Sequence, residues 1–181
     1  MKENRIREAF LKIKEDIESL KKEISSIKNK TEEKKVKEVV VAASGYFDPI
    51  HRGHIEYLNK AKEICDKLVV IVNSDEQALM KKNYVFMPQT DRMAVVKSLR
   101  FVDEVMLSID RDLSVCESLK FLSPDIFAKG GDRTSEEIPE AKICKENGIK
   151  IIDGLGKKIQ SSSELVKKSQ LNKKIKKRKQ N

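Results

Sequence analysis

The chain has 181 residues, enough for one ordinary domain with appendages and too few for two full cores. Its formal charge is +9, but from Lys157 onward ten Lys or Arg face the single Glu164, so the excess sits there and the remainder is near neutral. The run "LVVIV" falls far short of the roughly 20 apolar residues that span a bilayer, and "MKENRIREAF" has no secretory apolar core, so a cytoplasmic protein is expected.

The first 30 residues carry a heptad seam: Ile6, Phe10, Ile13, Ile17, Leu20, Ile24 and Ile27 alternate spacings of four and three. With Phe10, Ile17 and Ile24 at a, the e positions are Arg7, Lys14, Lys21 and Lys28, all cationic, while Asp16 and Glu23 stand at g. A parallel pair would set Asp16 opposite Lys21 and Glu23 opposite Lys28 of a second copy, whereas an antiparallel pair would face cation against cation. A helix lying on its own domain uses a similar stripe. The self-association reading makes 1–30 an oligomerisation helix, with dimer and higher states both open, and 31–36 a charged linker.

From Lys37, apolar strand-like runs alternate with segments of helical spacing. The strands read "EVVVAAS", "KLVVIVN", "DEVMLSI", "DIFAKG" and "IKIIDG"; between them come "HIEYLNKAKEICD", "PQTDRMAVVKSLR", "LSVCESLKFL" and "SEEIPEAKICKENG". This order predicts an α/β fold, a Rossmann-like parallel five-stranded sheet with helices on both faces, over 37–170. Residues 171–181, "LNKKIKKRKQN", are basic and lack aromatics for base stacking; they read as a solvated, disordered tail rather than a nucleic-acid arm. Cys65, Cys116 and Cys144 are odd in number and without a CxxC, so no disulfide framework or zinc site is expected.

Gly45, Gly53, Gly130, Gly131, Gly154 and Gly156 follow predicted strands and mark one sheet edge, where open α/β sheets bind ligands. Both histidines of the chain, His51 and His54, fall where the first loop meets its helix. A helix start presents unpaired N–H groups and partial positive charge, which suits phosphate and disfavours protonated imidazole. Gly53 between them leaves room for a phosphate near the backbone. As metal ligands the pair lacks partners at normal spacing apart from Asp48, and as core histidines they lack an apolar setting, so phosphate chemistry is the preferred reading.

"GYFDPIHRGH" resembles the signature of the cytidylyltransferase-like nucleotidyltransferases, with its small residue, Phe-Asp and HxGH. "KIQSSSELV" resembles the family's second signature, a Ser/Thr run opening the last helix. "VNSDEQALMKK", "TDRMAVVKSLRFVDEV" and "PDIFAKGGD" resemble segments of glycerol-3-phosphate cytidylyltransferases and of adenylyltransferases acting on heptose 1-phosphate. The likeness covers about 37 to 170 and neither the heptads nor the tail.

The resemblance implies transfer of a nucleoside monophosphate from CTP or ATP to a sugar phosphate or polyol phosphate, with release of pyrophosphate and no covalent enzyme intermediate. It implies that Gly45, Tyr46, Phe47, Asp48 and Gly53 bind nucleotide beside His51 and His54, and that Ser161, Ser162 and Ser163 meet the outer phosphates. Lys81 or Lys82, in the loop after the second strand, would cover the phosphates, or be a solvated pair at a helix end. Arg92, Lys129, Gly131 and Asp132 would line the nucleotide or acceptor pocket. Mg2+ would accompany the triphosphate through phosphate oxygens and water, with Asp48 either near it or a turn residue. A non-catalytic nucleotide-binding or RNA-associated scaffold is the alternative, which the intact His pair and Ser run oppose. The chain departs from relatives at Lys157 and Lys158, where an arginine precedes the Ser run, at Gln160 in place of isoleucine, and at Arg133 after "KGGD"; these leave acceptor and base open.

Overall fold

The computed structural model describes residues 2–33, 37–130, 138–155 and 160–178, and the chain divides into two units, 1–37 and 38–181. The first is one helix, α1 (Lys2–Glu33), which runs three residues past the end of the heptad stretch. Its Ile13, Ile17, Leu20 and Ile24 side chains are 47 to 57 % exposed.

The second unit holds strands β1 (Val40–Gly45), β2 (Lys67–Val72), β3 (Glu104–Leu107), β4 (Ile126–Ala128) and β5 (Lys150–Ile152). They form a five-stranded sheet in the order β3-β2-β1-β4-β5, with every neighbouring pair parallel. The helices are α2 (Arg52–Lys62), α3 (Asp75–Lys82), α4 (Gln89–Lys97), α5 (Cys116–Leu122), α6 (Glu140–Glu146) and α7 (Ser162–Arg178). The parallel Rossmann-like sheet is as expected from the alternation of strands and helices.

Both faces of the central strands are buried, which is why β2 reads as an unbroken apolar run from Leu68 to Val72 with no residue more than 2 % exposed. Along β1 the side chains alternate: Val41 and Ala43 join Tyr57, Leu58 and Ala61 of α2 and Val96 of α4. Ala42 joins Ile71, Phe127, Leu119 of α5 and Cys144 of α6 on the opposite face. At the amino edge, carboxylates close the ladder, since Asp66 accepts from Val39 N–H at 2.8 Å, Asp125 from Val40 N–H at 3.0 Å and Asp103 from Leu68 N–H at 2.6 Å. The carboxyl edge is left for the loops.

Two expectations change. Lys81 and Lys82 close helix α3 rather than lying in a loop; α3 is held by a capping box in which Gln77 N–H donates to Ser74 Oγ at 3.2 Å and Ser74 N–H donates to Gln77 Oε1 at 3.0 Å. The basic segment from 171, expected to be disordered, continues α7 to Arg178.

Candidate active site

The loop from β1 to α2 folds back on itself. Phe47 has φ 50° and is buried, and its ring lies so close to Gly45 that a Cβ there would meet Phe47 Cζ at 2.8 Å; glycine lets the ring pack under the strand end. Phe47 in turn meets His54 edge-on, with ring centroids 5.0 Å apart.

Asp48 is fully buried, and its carboxylate accepts from Met87 N–H at 2.7 Å and Phe86 N–H at 3.1 Å. Lys82 Nζ lies 3.1 Å from the Asp48 carbonyl and 3.4 Å from its carboxylate. Asp48 therefore ties the first loop to the segment after α3. Lys82 is 10 % exposed; burial lowers its pKa, and Asp48 pulls the other way. Lys81 is exposed, with Nζ 4.6 Å from the centre of the Tyr46 ring. Both lysines lie over the Tyr46 ring, Lys82 at 5.1 Å, but Lys82 also reaches Asp48 while Lys81 is exposed.

His51 caps α2 with an extended backbone, and its N–H donates to Nδ1 of His54 across 3.3 Å. That bond makes Nδ1 an acceptor and puts the neutral ring's proton on Nε2. The two rings stack, with centroids 3.8 Å apart and planes 16° from parallel. Burial first, then the charges of His51 and Lys82, push His54 down to about 3, and burial also lowers His51. Nδ1 of His51 is buried without a hydrogen-bond partner. Gly53 lies in the first turn of α2, where helix N–H groups have no partner within the helix.

Ser161 accepts the Leu165 N–H at 3.1 Å through its carbonyl and so caps α7. Ser162 Oγ donates to the Pro49 carbonyl at 2.9 Å, which sets the start of α7 against the loop that leads into α2. Ser161, Ser162 and Ser163 are all half-buried there.

Arg92, expected in the pocket wall, is instead fully buried. Its guanidinium donates to the carbonyls of Tyr46 (2.7 Å), Asn73 (2.7 Å) and Met87 (2.9 Å) and to the Asp75 carboxylate (2.6 Å). It joins the ends of β1 and β2 to the start of α3 and faces protein oxygens throughout. Lys129 follows β4, with Nζ 3.6 Å from Glu140 Oε2 and 5.2 Å from the Phe127 ring centre. Gly131, Asp132, Arg133, Lys157 and Lys158 lie outside the described residues.

Sequence reasoning missed three supporting groups: Gln77, whose side chain holds Asn73, Asp112 and Ser114; Tyr57, whose hydroxyl donates to the Ala128 carbonyl at 2.7 Å; and buried Glu140. Each sits in a helix as an ordinary polar residue, without a spacing signal. Among the described residues no three His, Cys, Asp or Glu side chains group to hold a metal ion, and each Asp48 oxygen accepts a backbone N–H.

Comparison with known proteins gives the family. Residues 42–169 match the cytidylyltransferase-like family model. The chain is 37 % identical over 148 residues to the bifunctional protein HldE of a Nitratiruptor species, covering 81 % of this chain and 29 % of that protein. It is 39 % identical over 102 residues to the FAD synthase of Thermococcus kodakarensis, covering 56 % of this chain and 68 % of that one. This chain therefore spans less than a third of the length of the HldE relative. Among solved structures, a lipopolysaccharide core biosynthesis protein from Thermoplasma volcanium superposes with a TM-score of 0.56 at 29 % identity, over 64 % of this chain and 95 % of that one. With the family model spanning most of the sheet and its helices, the chain belongs to the cytidylyltransferase-like family.

Proposed function

We propose that the chain transfers a nucleoside monophosphate from CTP or ATP to the phosphate of a sugar or polyol and releases pyrophosphate. The observation that carries this reading is the Ser162 to Pro49 bond, which joins the hydroxyl-lined start of α7 to the loop feeding the imidazole-lined start of α2. A triphosphate laid across both meets N–H, hydroxyl and imidazole donors at one place.

An oxygen of the acceptor phosphate forms the new bond to the α-phosphorus. The bond from that phosphorus to the bridging oxygen breaks, and pyrophosphate leaves with the electron pair. The nucleophile is already anionic, so the residues position and neutralise rather than deprotonate. His54, neutral with its proton on Nε2, donates to the α-phosphate; His51 Nδ1 gains the partner it lacks; Lys81 adds charge from above Tyr46. Lys82, Asp48 and Arg92 hold the loops in place and are positioning residues. Mg2+ enters bound to the triphosphate, as part of the substrate.

The test is pyrophosphate release from each NTP with Mg2+ and a panel of phosphorylated sugars and polyols. Turnover that is lost in His54→Ala, in protein that stays folded, supports the reading. Absence of nucleotide binding to the wild-type chain overturns it.

We also infer that α1 pairs with a second copy of the chain. The exposed Ile13, Ile17, Leu20 and Ile24 stripe supports this, as does the placement of Asp16 opposite Lys21 in a parallel pair.

A further inference from the structure

Three buried side-chain atoms find no hydrogen-bond partner among the described residues: His51 Nδ1, Tyr46 Oη and Glu140 Oε2. Buried polar atoms are nearly always satisfied, so each orphan asks what partner is missing. His51 Nδ1 belongs to the phosphate site. The other two lie elsewhere on the same edge.

Tyr46 directly follows β1, Lys129 directly follows β4, and these strands are neighbours with Ala43 paired to Ala128. The order β3-β2-β1-β4-β5 makes this gap the place where the sheet changes its direction of growth. Ligands of open α/β sheets settle outside the carboxyl ends at such a point. Glu140 opens α6, on the face that packs Ala42, Phe127 and Cys144, away from the α2 face that carries Phe47 and the histidines. Burial and then the charge of Glu140 raise the Tyr46 hydroxyl above its ordinary value, so the two groups feel each other.

The chemistry of the cluster is specific. Glu140 is 3 % exposed; its Oε1 accepts the Val115 N–H at 3.1 Å, while Oε2 faces Lys129 Nζ at 3.6 Å and accepts no hydrogen bond. Lys129 offsets the carboxylate charge, so the trio is near neutral and has no surplus to attract another phosphate. It offers one acceptor on Glu140 and a donor and an acceptor on the Tyr46 hydroxyl. Two adjacent hydroxyls match that set, one donating to Glu140 Oε2 and the other exchanging a bond with Tyr46 Oη.

We propose that Tyr46 and Glu140, with Lys129 beside them, form a subsite for a vicinal diol of a substrate. The diol comes from the carbon chain of the acceptor or from the ribose of the nucleotide. The assignment rests on the nucleotidyl-transfer reading above and deepens it by naming what part of a substrate this second wall recognises.

Tyr46→Phe and Glu140→Gln keep shape and remove one hydrogen-bonding function each, so the fold is checked by melting temperature in both. Calorimetric binding of CTP and ATP is compared with binding of their 2′,3′-dideoxy forms. Pyrophosphate release is then measured with glycerol 3-phosphate, ribose 5-phosphate and mannose 1-phosphate, and with ethyl phosphate, which has no diol.

If the diol is the acceptor's, both variants raise KM for polyhydroxy phosphates about tenfold more than they raise KM for ethyl phosphate, and weaken CTP or ATP no more than the dideoxy forms. If it is the ribose, both weaken CTP or ATP by a similar factor and leave the dideoxy forms alone. Variants that match the wild type in every arm, variants that lose ethyl phosphate equally, or a wild type that uses no polyhydroxy phosphate while the ribose arm is flat, each overturn the subsite. A wild type that binds no nucleotide overturns the transfer reading itself, which keeps the two failures apart.

Discussion

The backbone N–H of His51 donates to Nδ1 of His54 across 3.3 Å, and the two rings stack 3.8 Å apart. A protonated His54 could not accept that bond, and a second positive charge beside His51 and Lys82 is opposed by both. The helix start thus selects one protonation state and one tautomer, leaving Nε2–H as the available donor.

This sets a pH dependence. His54 falls from 6.5 to about 3 in the folded chain, so below 6.5 the unfolded chain takes up a proton that the native one refuses. Native stability from this group is full above 6.5 and declines as pH falls from 6.5 toward 3. The Cε1 proton of His54 should therefore show no titration step between pH 5 and 8 by NMR. His54→Asn keeps an acceptor for the His51 N–H while removing Nε2; it should fold and lose about 10²–10³ in kcat. A His54 midpoint near 6.5 would contradict the neutral-donor role.

Arg92 makes a different prediction. Its guanidinium serves the carbonyls of Tyr46, Asn73 and Met87 and the Asp75 carboxylate, so Arg92→Met leaves three carbonyls without that donor. Each buried orphan costs about 1–3 kcal/mol, and urea denaturation should show a loss of about 3 kcal/mol or more. Arg92→Lys recovers only part, because an ammonium cannot span the planar fork. An unchanged urea midpoint together with a raised nucleotide KM would return Arg92 to the pocket wall.

Gly45→Ala tests the packing beneath the histidines. The new Cβ would press on the Phe47 ring at 2.8 Å, and that ring is buried and lies edge-on to His54. Overpacking of this kind costs about 1–3 kcal/mol. The ring has only His54 and the core to move into, so turnover should fall further than stability alone explains, read as a drop in kcat in protein that is still folded by circular dichroism.

How much was legible in the sequence follows from the range of each interaction. The parallel sheet and the helix start at His51 were readable because apolar runs and loop signals are local. The bond between Ser162 and Pro49 joins residues 113 apart, and only the resemblance of two short motifs linked them. Helix α3 escaped notice because "DEQALMKK" buries only Gln77 and Ala78 and depends on a capping box rather than an apolar stripe. The bonds of Arg92 to Tyr46, Asn73, Met87 and Asp75 were not legible, because a buried arginine in a helix looks the same in sequence as an exposed one. Glu140 gave no signal, since its meaning comes from Val115 and Lys129, both brought to it by the fold.

The helix α1 carries the last prediction. Ile13, Ile17, Leu20 and Ile24 stand 47 to 57 % exposed on a stripe of strict three-four spacing. Leaving so continuous an apolar seam in water is unfavourable, and in the proposed pairing a second copy would cover it with knobs in holes. Ile17→Asp with Ile24→Asp puts two charges into that seam, so light scattering should show a lower mass while the catalytic domain keeps its melting transition. Orientation is tested separately by Ile17→Cys. In a parallel, in-register pair the two substituted positions face each other at the seam and cross-link under mild oxidation, while an antiparallel pair centred elsewhere keeps them apart. The placement of Asp16 against Lys21 favours the parallel form, and high salt should weaken it only modestly because the seam is apolar. A mass unchanged by the aspartates, or a monomeric wild type, would show that the stripe has another partner.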